Sequence, residues 1–141
     1  MKYLIIFCTP LLAIFMGCSS SENTASNDNI QIISAKVNEW SEPPAQNSDV
    51  PEPGADLSIT VDDWPSNYTP SHIIYNKRKS LSAGVTDTVD GHPVITGRII
   101  RSSYRLPKTS ETVSKSNRLV YSNQEGEQFY IEIANWESSK N

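Results

Sequence analysis

The sequence predicts an all-β chain, a single immunoglobulin-like β-sandwich of about seven strands, with a small β-barrel as the alternative. Three observations carry that expectation. From Ile30 onward apolar and polar residues alternate in short runs, turn formers separate the runs, and prolines at positions 65, 70, 93 and 107 would interrupt any long helix.

Taken in order, the first run is Ile33, Ala35 and Val37, with Ser34 and Lys36 between them. The clearest is Ala55-Asp56-Leu57-Ser58-Ile59-Thr60-Val61-Asp62, a strict inside–outside pattern for a half-buried strand. Leu81, Ala83 and Val85 repeat the pattern. Asp90-Gly91, between runs at 85–89 and 94–100, signals a two-residue hairpin of the type I′ kind. Asn123-Gln124-Glu125-Gly126 is expected to link 119–121 to a last strand over 128–134. In that strand Phe129, Ile131 and Ile133 share one face, and Tyr130, Glu132 and Ala134 the other. Two segments read as irregular: 41–54, with four prolines, and 102–117, rich in Ser, Thr and Lys.

The first thirty residues follow other rules. Met1-Lys2 precedes an apolar run over 3–16, broken only by Thr9 and carrying Pro10 near its middle. It is shorter than the ~20 residues that a membrane-spanning helix needs. The run ends Phe15-Met16-Gly17-Cys18 and gives way to three serines. This stretch resembles the lipobox of bacterial lipoproteins, with Gly17 and Cys18 in the pattern and Phe15 and Met16 where Leu and a small residue are commoner. The resemblance implies cleavage before Cys18, a diacylglycerol on its thiol and acylation of the new amino terminus. Residues 1–17 are then a signal peptide, 18–29 the lipidated cysteine and a flexible polar tether of about 20 Å typical span, and 30–141 the folded domain. Two or three acyl chains anchor a domain firmly, at ~0.8 kcal/mol per buried methylene. In enteric bacteria an Asp after the lipidated cysteine favours the inner membrane; Ser19 stands there, which favours the outer membrane of a Gram-negative host.

Cysteine usage follows from that reading. Cys8 leaves with the signal peptide and Cys18 is blocked by lipid, so the exported domain has no disulfide. About 120 residues suffice for one adequate core. The net charge of −4 is unevenly spread: residues 19–63 hold nine acids against Lys36 alone, and residues 77–118 hold nine bases against three acids. Such a basic stretch could face lipid A, an acidic glycan or an acidic protein. Mutual neutralisation across neighbouring strands is the expected outcome, and no nucleic-acid partner is expected.

Signals for chemistry are sparse. No nucleophile elbow, zinc-protease helix or phosphate-binding glycine loop occurs. His72 and His92 each stand beside a turn or proline; His92, Asp87 and a serine would make a triad only on paper. The Asp87–His92 cluster misses the spacing of a calcium loop and reads as a hairpin, and Asp62-Asp63 reads as a strand end in water. No metal or cofactor is expected. Trp40, Trp64 and Trp136 fall at the ends of expected strands, where an indole either closes the end of a core or binds a sugar or protein partner, with Tyr68, Tyr104 and Tyr121 able to extend such a surface.

The sequence therefore points to a lipid-anchored protein of the bacterial envelope, serving as a non-catalytic protein-binding scaffold or accessory subunit. A glycan-binding module using Trp40, Trp64 and Trp136 is the second reading, and a hydrolase around His92 the third. Metabolic labelling with a fatty acid should mark the membrane-bound protein, and Cys18→Ala should abolish the label and release the protein from the membrane fraction. Label retained in that variant would remove the anchor.

Overall fold

The computed structural model describes residues 25–26, 29–44, 46–47, 49, 51–106 and 117–139. The expected signal peptide, Cys18 and most of the expected tether lie outside the described residues. Ten strands occur among the described residues: β1 (Ala25–Ser26), β2 (Ile32–Glu42), β3 (Glu52–Val61), β4 (Tyr68–Tyr75), β5 (Arg78–Lys79), β6 (Ala83–Val89), β7 (His92–Ile99), β8 (Arg118–Asn123), β9 (Gln128–Glu132) and β10 (Glu137–Ser138). They form two sheets, ordered β1-β9-β8-β4-β5 and β10-β2-β3-β7-β6.

Seven strands have five residues or more, and the other three have two. Lettered A to G in chain order, those seven give A-B-E-D in one sheet and G-F-C in the other, the immunoglobulin constant-type arrangement. The barrel alternative is not realised, since the two sheets share no paired strand.

Alternation becomes burial where the pairing is regular. In β3 Ala55, Leu57, Ile59 and Val61 are buried, while Asp56, Ser58 and Thr60 face outward. They cluster with Ala35 and Val37 of β2, Ile73 of β4, Ile95 and Ile99 of β7, Leu119 and Tyr121 of β8, and Ile133 after β9. The Asp90-Gly91 turn has positive φ at both residues, 53° and 84°, as a type I′ hairpin requires. Gly126 also has positive φ, at 83°, and the loop after β8 is held by Asn123, whose Oδ1 accepts the N–H groups of Glu125 and Glu127.

Several expectations are corrected. Ile33 faces water, 51 % exposed, because a bulge between Ile32 and Ser34 turns it outward and sends Ile32 to the core. Leu81 and Val85 are exposed as well: Leu81 precedes β6, and a bulge between Val85 and Asp87 breaks the β6 register. The segment 41–54 is not a loop throughout. β2 and β3 stay paired out to Glu42↔Glu52, leaving 43–51 as the connection. Pro53 is tolerated there because β7 pairs with β3 only from Ala55 onward. Residues 25–26, expected in the tether, pair in parallel with β9.

Denaturant unfolding of the full chain separates the two faces of these strands. Ile59→Ala should cost about 2–5 kcal/mol, as a large-to-small change in a tight core does. Ile33→Ala should stay within about 0.5 kcal/mol, and a large loss there would mean that Ile33 is core.

Candidate functional site

The three tryptophans do not share a surface. Trp64 follows β3 and closes one end of the sandwich: its Nε1–H donates to the Tyr68 carbonyl at 3.0 Å and its ring meets Tyr121 edge-on at 5.3 Å. Tyr68 and Phe129 complete that cluster around Tyr121, which is wholly buried and so extends no surface. Trp136 closes the other end, edge-on to Tyr75 at 5.2 Å. Trp40 lies on the outer face of the second sheet, across its strand partner Gly54, where a Cβ would come within 2.5 Å of the indole. The Arg98 guanidinium sits 5.7 Å from the Trp40 ring and forms an ion pair with Asp56. Two of the three indoles are thus core lids, and the third covers a glycine.

The histidines are also apart. His92 opens β7, and its Nδ1 lies 3.1 Å from the carbonyl oxygen of Asp62. Asp87, its paper triad partner, accepts instead the N–H of Thr88. Asp62 Oδ1 accepts the N–H groups of Gln31 and Asp63, and these hold its carboxyl below the usual range. Asp63 accepts the N–H of Trp64. The Asp62-Asp63 pair therefore fixes the turn after β3. Among the described residues no three His, Cys, Asp or Glu side chains gather as a metal site would require.

His72 has a different setting. It points outward from β4 beyond a bulge between Pro70 and His72, with Ser71 Oγ 2.9 Å from its Nδ1. Burial, then the charges of Lys79 and Arg118, depress its pKa to about 4. So weak a base, with no carboxylate bonded to its ring among the described residues, makes the Ser71–His72 contact a poor nucleophile–base pair.

Two grooves cross the outer faces. One, of about 650 Å³, runs over the second sheet, with Lys36, Asn38, Asp56, Thr96, Arg98 and Ser139 along it. The other, of about 660 Å³, runs over the first sheet between His72, Lys79, Arg118, Tyr104 and Leu106. Sequence periodicity reveals neither, because each is built from the outward residues of several strands; only the basic run between 77 and 118 hints at the second.

The sheet edges differ in protection. β1 lies along β9, β10 along β2 and β5 along β4, so three of the four edges made by longer strands carry a short added strand. β6 carries none. Its residues from Val85 to Val89 are all exposed, Val85 at 46 % and Val89 at 50 %, and Asp87 is the one charge in the strand.

Comparison with protein-family models, curated proteins and solved structures finds no match to the chain. No helix long and apolar enough to cross a membrane occurs among the described residues.

The His72 environment has a sign. Unfolded, the imidazole takes its proton near pH 6.5; folded, it resists until about pH 4. Its contribution is therefore complete above pH 6.5 and is lost as pH falls through about 4. Folding stability measured by denaturant titration at several pH values should decline over that window, and the decline should be shallower in His72→Gln. Equal slopes in the two proteins would show that His72 titrates normally.

Proposed function

We propose that the protein is a lipid-anchored lipoprotein of the bacterial envelope, attached through Cys18, that acts as a non-catalytic protein-binding scaffold or accessory subunit. The observation that carries the reading is the edge of β6, which no strand among the described residues covers. An exposed, β-branched strand with one charge presents a row of backbone donors and acceptors and invites pairing by a strand of another chain. The bulge after Val85 divides that edge into two short stretches, which suits a short partner segment.

The anchor fits this arrangement. Six residues separate Cys18 from Ala25, where β1 joins β9. Covalent geometry limits that link to roughly 25 Å, so an anchored domain stays beside the membrane and meets partners there. Ser19 after the cysteine favours the outer membrane of a Gram-negative host, by the same resemblance that assigns the lipid.

A glycan-binding reading is favoured by a separate observation, the groove over the second sheet with Trp40 beside it. Its amide, hydroxyl and paired charges at Asn38, Thr96, Asp56 and Arg98 are suited to sugar hydroxyls. Trp40 at the far side of Arg98 is the indole nearest this role, since Trp64 and Trp136 are packed into the core.

A photo-crosslinking residue at Val89 of the anchored protein, followed by mass spectrometry, should capture one envelope protein. Val85→Lys and Cys18→Ser should each reduce capture at least tenfold, the first by charging the edge and the second by removing the anchor. Capture unchanged by Val85→Lys would exclude the β6 edge, and polysaccharide co-purifying in place of protein would favour the groove over the second sheet.

A further inference from the structure

The groove over the first sheet has an order that the strand register makes explicit. Ile74 of β4 pairs on one side with Lys79 of β5 and on the other with Arg118 of β8. The three residues form a row across the sheet, two cations flanking one apolar side chain, with the outer strands about 10 Å apart. In the next row His72 pairs with Val120, and Val120 with Tyr130 of β9. Ile74 and Val120 point away from the main core, yet each is at most 4 % exposed. Leu106, Tyr104 and Leu81 border the same space.

The cations in this groove are uncompensated by any described carboxylate. Among the described residues neither Lys79 nor Arg118 forms an ion pair. Glu132 is the register partner of Arg118 on β9, but the guanidinium lies 5.4 Å from the Tyr130 ring and makes no ion pair with that carboxylate. Arg118 Nε is buried and without a hydrogen-bond acceptor among the described residues. A buried, unpaired donor on a charged group is costly, and a ligand oxygen would satisfy it. The hydroxyls of Ser71, Ser102 and Tyr104 and the amide of Gln128 add further polar groups, and no carboxylate among the described residues lines the space. The other groove, over the second sheet, has its arginine paired with Asp56, which leaves Lys36 alone against the two cations here.

We propose that this groove binds a small amphiphilic anion, its carboxylate or phosphate head placed between Lys79 and Arg118 over Ile74 and its apolar body lying along Val120, Leu106 and Tyr104. The combination selects the ligand class. An inorganic anion leaves the apolar side chains unused, and a neutral amphiphile leaves two cations and the Arg118 Nε–H without partners. The volume of about 660 Å³ suits a molecule with a single medium-length chain. This site shares no residue with the β6 edge and stands whether or not that edge binds a protein.

The test uses the full chain anchored in phosphatidylcholine vesicles and a dodecyl phosphate carrying a diazirine in its alkyl chain. After irradiation, mass spectrometry should place the label on β4, β8 or residues 104–106, and Arg118→Gln and Lys79→Gln should each lower it about tenfold. In the unsubstituted protein the midpoint of His72, read from exchange of its C2 proton, should rise by about one unit when the probe is present, as an added opposite charge requires. Among the described residues the groups facing His72 are Lys79 from β5, Arg118 and Val120 from β8 and Gln128 from β9, none of them a carboxylate. The proposal fails if a neutral dodecyl glucoside probe labels the same residues equally, or if both charge variants keep full labelling. It also fails if the probe does not label the groove.

Discussion

The burial of Leu57 and Ile59 from β3 in one cluster with Ile73, Leu119 and Tyr121 from β4 and β8 is the constraint on which the rest depends. Immunoglobulin domains of antibodies join these same strands, B and F, with a disulfide packed on a tryptophan of strand C. Here no cysteine occurs beyond Cys18, and strand C offers Ile73. Aliphatic burial and one fully buried tyrosine must hold the sheets together. Tyr121 fits that position because other rings surround it, with Phe129 stacked at 5.7 Å and Trp64 and Tyr68 edge-on. At the opposite end Trp136 and Tyr75 do the same, and the Tyr75 hydroxyl donates to Glu39 at 2.7 Å across the sandwich. The indoles are therefore part of what replaces the missing disulfide, which explains why two of three are unavailable as a binding surface.

A sandwich held mainly by side-chain burial is exposed to error at its edges. Backbone groups along an edge strand are satisfied by water or by any passing strand, and a sheet grows unless something stops it. β1, β5 and β10 stop it at three edges with two residues each, the fewest that make a ladder. On the fourth side the chain crosses from β5 to β6 through Ser80, whose N–H and hydroxyl bond the Ile73 carbonyl and N–H in turn. That crossing fixes where β6 begins, and no strand among the described residues covers its outer side.

Much of the fold was legible in the sequence where one rule acted alone. The strict alternation from Ala55 to Val61 is the central strand β3, and Asp90-Gly91 is the turn that its residue types require. β4 was hidden because two rules conflict in it. Pro70 lies inside the strand, and the bulge between Pro70 and His72 adds one residue, so the pattern of inward residues loses its period of two. The following turn, Asn76-Lys77, has positive φ at both residues without a glycine to announce it. Trp40 was read as a strand end because Gly54 falls in a proline-rich segment; only the pairing of the two shows that the segment continues the hairpin. The grooves were illegible for a different reason: they depend on register between strands distant in sequence, such as the row Lys79, Ile74, Arg118.

Charge shows how register turns a diffuse property into a local one. The basic run between 77 and 118 was expected to be neutralised across neighbouring strands, and Arg98 meets that expectation with Asp56. Arg78 is spent differently: it is buried at one end of the sandwich and donates to the carbonyls of Pro53 and Ile100, tying β5 to the β2–β3 hairpin. Arg101 donates to the carbonyl of Pro43. A guanidinium used in this way closes loops by donating to backbone carbonyls. Lys79 and Arg118 have neither use. They occupy one row on one face, beside a histidine whose proton they repel, so the excess positive charge of the sequence is concentrated where apolar side chains also meet. A row of this kind differs from a solvated face, because the sheet sets its two cationic residues on either side of one buried apolar side chain.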